Sequence, residues 1–189
     1  MLRAFVAVEI PPELAAALGA LQAELAARRV RARWVAPGNI HLTLKFLGRV
    51  PAGHAAAILA ALAGAARPVA PFALRAAGVG VFPDLRRPRV LWAGVAGETA
   101  ALAGLHQRVE EALAALAFPR EARRFRGHLT IGRFPEGAAA GVPAEALKQH
   151  AHTLFGELPV RELVLFQSDL QPKGPVYTAL GRAPLAGAP

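Results

Sequence analysis

Apolar residues recur along this chain with two periods. Short runs alternate every second residue, and longer ones repeat at helical spacing. Phe5-Val6-Ala7-Val8-Glu9-Ile10 reads as a strand closed by Pro11-Pro12. From about Glu13, Leu14, Leu18, Leu21 and Leu25 form a helical stripe, and Arg28-Arg29 suits the negative end of that helix. Arg33-Trp34-Val35 predicts a short strand, and Pro37-Gly38-Asn39 turns the chain into a run over residues 40–47, which Gly48 and Pro51 close. Residues 55–66 predict an Ala-rich second helix. Residues 72–82 and 89–96 predict two strands joined by a Pro-bounded turn. Thr99 reads as the N-cap of a third helix with Leu102, Leu105, Val109 and Leu113 on one face. A strand over residues 128–134 follows the basic stretch 120–126. Pro143 then opens a short helix to about His152, and residues 160–170 and 176–180 finish the chain as strands.

Two of these strands carry the same tetrapeptide pattern, His41-Leu42-Thr43-Leu44 and His128-Leu129-Thr130-Ile131. Alternation puts each histidine and the threonine two residues on upon one face. Leu42, Leu44 and Phe46 on the first strand, and Leu129 and Ile131 on the second, then serve the core. A single strand histidine is commonly a hydrogen-bonded structural residue, and threonine favours strands without any function. Repetition in the same register is what points to chemistry: two imidazoles across a cleft supply a general acid and a general base. Lys45 falls on the His41/Thr43 face by strict alternation, and Arg126 precedes His128 by two, so either could place positive charge at a bound anion. Arg133 falls on the opposite face of an unbroken strand. His54, His106, His150 and His152 read as bystanders. No His/carboxylate set has metal-ligand spacing, and no Gly-x-x-x-x-Gly-Lys loop is present.

The two patterns lie 87 residues apart, each followed by a stop, a helix and two strands. Such a repeat predicts an α+β fold of two pseudo-symmetric lobes, each an antiparallel sheet with helices, whose His-x-Thr strands line a central cleft. No linker separates them, so residues 1–189 are read as one bilobal unit.

Composition narrows the partners. Hydrophobic content of 54% and charged content of 19% are those of a globular chain, and the absence of cysteine excludes disulfides and thiolate catalysis. No apolar stretch is long enough to span a bilayer, and the N-terminus enters a strand with no signal-peptide pattern, so a cytoplasmic protein without membrane contact is expected. The formal charge is +9, and nineteen of the twenty-two basic residues are arginine. A GC-rich genome raises arginine over lysine by itself, but it does not dictate the shortage of acids. The balance suits a polyanion such as RNA.

The stretch His41-Leu42-Thr43-Leu44-Lys45-Phe46-Leu47-Gly48 resembles the first motif of the 2H phosphoesterases, and in particular the bacterial RNA 2′,3′-cyclic phosphodiesterases, once named 2′-5′ RNA ligases. Arg126-Gly127-His128-Leu129-Thr130-Ile131-Gly132-Arg133 is similar to their second motif. Phe5-Val6-Ala7-Val8, Trp34-Val35, Val81-Phe82-Pro83, Pro88-Arg89-Val90-Leu91-Trp92, Ser168-Asp169-Leu170 and residues 172–177 extend the likeness over nearly the whole chain. Gly127 departs from the family's usual proline and is expected to loosen entry to the strand. The resemblance implies metal- and cofactor-free hydrolysis of RNA 2′,3′-cyclic phosphate ends to 2′-phosphomonoesters. It makes His41 the proton donor and His128 the acceptor, with Thr43, Thr130, Lys45, Arg126 and Arg133 as substrate-binding candidates. It also implies one lobe holding both termini. A monomer acting on RNA ends, with nucleotides as further ligands, is expected. Ligation of a cyclic end to a 5′-hydroxyl, and non-catalytic RNA or nucleotide binding, stay open as alternatives.

Overall fold

A computed structural model describes residues 1–135, 144–172 and 174–187. Its strands are β1 (Leu2–Glu9), β2 (Arg33–Trp34), β3 (His41–Val50), β4 (Phe72–Phe82), β5 (Val90–Gly97), β6 (His128–Arg133), β7 (Leu154–Val160), β8 (Glu162–Gln171) and β9 (Gly174–Pro184). Its helices are α1 (Pro12–Ala27), α2 (Ala55–Ala66), α3 (Thr99–Ala114) and α4 (Ala144–Lys148).

Among the described residues, the strands form one antiparallel sheet in the order β7-β4-β5-β6-β3-β1-β8-β9, with β2 added to β6. The order is palindromic about its centre: β6 and β3, the two His-x-Thr strands, meet in the middle through the single pair Leu42↔Leu129. Helices α2 and α3 cover the β3-β1-β8-β9 half, while α1 packs on β7 and α4 on β4. The two pseudo-symmetric lobes predicted from the repeat are these two halves.

The core lies between the helices and one face of the sheet. Val6, Val8, Leu42, Leu44, Leu91, Ala93, Leu129 and Ile131 meet Leu14, Leu18, Leu25, Leu62, Leu105 and Leu113 there. Burying side chains of this size stabilises by roughly 1.5–3 kcal/mol each. The other face carries a smaller cluster, Phe5, Ala7, Val164 and Phe166, with Tyr177 against it.

Among the differences from the sequence reading, three have a local physical setting. Strand β7 is absent from that reading, because Gly156 and Pro159 look like breakers; as the sheet's edge strand it tolerates a residue with no N–H to donate. Glu98, not Thr99, precedes α3 as its cap residue, and its carboxylate accepts the Ala73 N–H at 2.6 Å. Helix α4 ends at Lys148, and Pro143 lies outside the described residues.

Candidate active site

The site is built on two matching irregularities. Along β1 and β3, Val6 pairs with Lys45 but Ala7 pairs with Thr43, so Leu44 is an extra residue. Along β5 and β6, Leu91 pairs with Gly132 but Trp92 pairs with Thr130, so Ile131 is an extra residue. A bulge of one residue reverses the facing of everything beyond it. Leu44 and Lys45 therefore both turn inward, as do Ile131 and Gly132, and all four are buried. Phe46 and Arg133, each five residues after its histidine, turn out to the helix-free face.

Three expectations based on strict alternation are thereby corrected. Lys45 is not at the cleft: it is 2% exposed, and its Nζ donates to Glu110 Oε1 at 2.7 Å and to the Pro119 carbonyl at 2.8 Å. Phe46 is not core: it is 61% exposed, 6.0 Å in ring centroids from Phe5. Arg133 is not on the far face: it is close enough to both histidines for its charge to depress their pKa values.

Around the Leu42↔Leu129 bridge, the antiparallel register sets His41 against Thr130 and Thr43 against His128 on the face away from the core. The two imidazoles are thus diagonal, one from each lobe. Each is fixed in the same way. His41 Nδ1 lies 2.8 Å from the Asn39 carbonyl and His128 Nδ1 2.7 Å from the Arg126 carbonyl. A carbonyl only accepts, so Nδ1 carries the proton in both rings, and Nε2 is the nitrogen left able to exchange one. Neither Nε2, nor the hydroxyl of Thr43 or Thr130, has a protein hydrogen-bond partner among the described residues. Arg126 contributes to this geometry through its backbone.

The walls differ. His41 stacks on Phe5 (4.7 Å, 27°) and meets the edge of Tyr177 (5.2 Å, 85°). His128 meets Phe82 edge-on (5.0 Å, 89°), and Phe82 packs against Trp92. Burial is the main cause that holds both imidazoles below the ordinary histidine value of 6.5. The backbone carbonyl opposes it in each case, and Arg133 adds to it. Burial likewise raises the Tyr177 phenol, against the pull of Arg133 and Arg3.

Each bulge is held from the helix layer by a polar residue that patterning did not single out. Gln22 of α1 donates through Nε2 to the carbonyls of Val35 (2.7 Å) and Ile131 (2.8 Å), satisfying the extra residue of β6. Glu110 of α3 binds Lys45 and also accepts the Glu121 N–H at 3.1 Å, which ties β3 to the segment leading into β6. Their signal was a lone polar side chain within the apolar arc of its helix. Asn39 was also missed. Its Nδ2 donates to the Pro175 carbonyl at 2.9 Å, joining the start of β3 to β9. At Gly127 a Cβ would lie 2.8 Å from Leu102 and 2.9 Å from Val95, so the packing around the strand entry favours a residue without one. Among the described residues no three His or carboxylate side chains converge as a metal set, and no helix is long and apolar enough to cross a membrane.

Known proteins resemble this chain over nearly its whole length. The RNA 2′,3′-cyclic phosphodiesterase of Thermus thermophilus is 38% identical over 193 residues, covering 98% of this chain and 91% of the relative. That of Archaeoglobus fulgidus is 37% identical over 180 residues, covering 95% and 98%. That of Geobacillus stearothermophilus is 37% identical over 187 residues, but this chain spans 58% of its length. Among solved structures, TT0787 of Thermus thermophilus superposes with a TM-score of 0.74 at 37% identity, covering 98% of each chain. Escherichia coli LigT complexed with 3′-AMP superposes with a TM-score of 0.76 at 28% identity, covering 97% and 98%. The family described as LigT like phosphoesterase matches twice, over residues 8–92 and 94–177, one match for each His-x-Thr strand. With both matches in tandem and both histidines in equivalent settings, the chain belongs to the LigT-like phosphoesterases.

Proposed function

We propose that the protein hydrolyses RNA 2′,3′-cyclic phosphate ends to 2′-phosphomonoesters. The reading rests above all on the two carbonyl-anchored imidazoles, which present equivalent Nε2 atoms diagonally about one strand bridge. Hydrolysis needs a base on one side of phosphorus and an acid on the other. His128 Nε2 takes a proton from water as the water oxygen bonds to phosphorus. The bond from phosphorus to O3′ breaks, and His41 Nε2–H protonates O3′, leaving a 3′-hydroxyl and a 2′-phosphate. That order follows the family resemblance, since the site itself is nearly symmetric. Thr43 and Thr130 donate to the nonbridging oxygens, and Arg133 balances the charge that builds on them. Phe46, beside Phe5, offers an exposed aromatic face for the terminal base. Relatives named for RNA 2′,3′-cyclic phosphodiesterase activity, and a neighbour solved with 3′-AMP, support a nucleotide end as the ligand. The test is incubation, in EDTA, with an oligoribonucleotide ending in a 2′,3′-cyclic phosphate. A 2′-phosphomonoester is the expected product, and a 3′-phosphate or an intact ring would overturn the reading.

The pH dependence of kcat/KM is expected to be bell-shaped, with an optimum on the acid side of 6.5. Burial, and secondarily Arg133, lower both imidazoles in the free enzyme. The midpoint of the pair's two apparent pKa values moves down with them. A bound phosphate anion favours both imidazolium forms, so the kcat profile shifts to higher pH than that of kcat/KM. A kcat/KM optimum well above 6.5, or no titration in this range, would contradict the arrangement.

A further inference from the structure

Strand β2 is only two residues long, and its register places Arg33 directly opposite Arg133 of β6. Directly opposed residues share a face, with Cβ atoms about 4.5–5.5 Å apart. Arg33 therefore lies on the helix-free face with Arg133, one strand to its side. Like charges in such a pair are destabilising, and among the described residues neither guanidinium has an acidic partner. The carboxylate of Asp84, in the turn after β4, instead accepts from the backbone N–H groups of Arg86 and Arg87.

The repulsive pair is held by packing. Gly132, opposite Trp34, has no side chain: a Cβ there would lie 3.1 Å from Ala32 and 3.4 Å from the Trp34 ring. The Val35 N–H donates to the Ile131 carbonyl at 3.1 Å, and Gln22 clamps both residues from α1. The bulge at Ile131 that turns Arg133 outward thus also docks the segment that carries Arg33. Two exposed cations side by side, with no acidic partner among the described residues, form a ready-made seat for an anion.

We propose that Arg33 binds an internucleotide phosphate of the RNA strand, next to the terminal nucleotide whose cyclic phosphate faces the histidines. This rests on the function proposed above and deepens it. Arg133 serves the reacting end, Arg33 serves the following phosphate, and the preferred substrate is an oligonucleotide end, not a free nucleoside 2′,3′-cyclic phosphate. The turn with exposed Arg86 and Arg87, between β4 and β5, flanks Arg133 on the side of β6 away from Arg33, so Arg33 is the cation on the β2 side.

The experiment compares the protein with its Arg33→Gln variant on an oligoribonucleotide ending in a 2′,3′-cyclic phosphate and on the matching nucleoside 2′,3′-cyclic phosphate. The ratio of kcat/KM values, oligonucleotide over nucleoside, is expected to fall about tenfold, the scale of one charge-assisted contact. The dependence of log kcat/KM on log salt for the oligonucleotide should lose about 0.7 in slope, one single-strand phosphate contact. A second measurement needs no turnover: the affinities of an oligoribonucleotide ending in a 2′-phosphomonoester and of a nucleoside 2′-monophosphate. Arg33→Gln should remove much of the oligonucleotide's advantage. Unchanged ratios in either measurement, or a parent protein that prefers neither ligand, would overturn the proposal. Absence of hydrolysis on both substrates would instead overturn the proposed function, with the affinities still deciding the role of Arg33.

Discussion

Replacing either His41 or His128 by alanine is expected to lower kcat on a 2′,3′-cyclic phosphate by roughly 10²-fold or more while the fold survives. Among the described residues each imidazole makes one hydrogen bond, from Nδ1 to a carbonyl two residues earlier, and otherwise only ring contacts. Its loss removes a proton-transfer group and leaves one backbone carbonyl near solvent. Stability should therefore change far less than rate. The two losses should not add in the double variant, because acid and base act in one step and either absence stalls it. Thr43→Ala and Thr130→Ala should cost about 1–3 kcal/mol of transition-state stabilisation each, the scale of a hydrogen bond to a charged group. Single-turnover rates beside denaturation curves separate the effects. Either histidine variant keeping near-parental hydrolysis would end the two-imidazole mechanism.

The placement of the two histidines and threonines was legible because they precede the bulges. From His41 to Thr43 and from His128 to Thr130 the strands alternate regularly, and period two alone places those side chains. One residue later the rule fails. The extra residue at Leu44 or Ile131 is invisible in a hydrophobic pattern, since a buried residue followed by Lys45 reads as ordinary alternation. The errors at Lys45, Phe46 and Arg133 share that single cause. The repeat held the remedy: position five after each histidine is Phe46 in one copy and Arg133 in the other, and position four is Lys45 or Gly132. Residues at equivalent positions must face the same way in a duplicated fold.

The palindromic sheet order also explains how near-symmetry can serve an asymmetric reaction. Duplication supplies two identical anchors for the imidazoles, and the divergence lies at the positions the bulges turn outward. One lobe presents the aromatic Phe46 with Phe5 and Tyr177 behind it, and the other presents the cationic Arg133. A nucleotide end has the same division, with a base on one side and phosphates on the other. Under the proposed function, the lobes therefore distinguish the ends of the ligand even where the histidines are equivalent.

The second large effect concerns Lys45, and it is expected in stability, not in substrate binding. Lys45→Met should destabilise the protein by about 3–5 kcal/mol, the cost of leaving one member of a buried ion pair unpaired. Both partners are inaccessible, with side chains 2% and 8% exposed, so water cannot replace the lost ammonium. For a chain of this size the melting temperature should fall by on the order of 10 °C. The Pro119 carbonyl loses its donor in the same variant. Adding Glu110→Met removes the stranded carboxylate and should recover much of the loss, because a buried ion pair and a well-packed apolar pair are often of similar stability. Recovery stops short of complete, since the Glu121 N–H and the Pro119 carbonyl stay unpartnered. Denaturant midpoints of the two variants and the parent decide the matter. A Lys45→Met protein of parental stability with a weakened affinity for phosphate would return the lysine to the cleft, where strict alternation puts it, and would refute the bulge at Leu44 on which the placements of Phe46 and Lys45 depend.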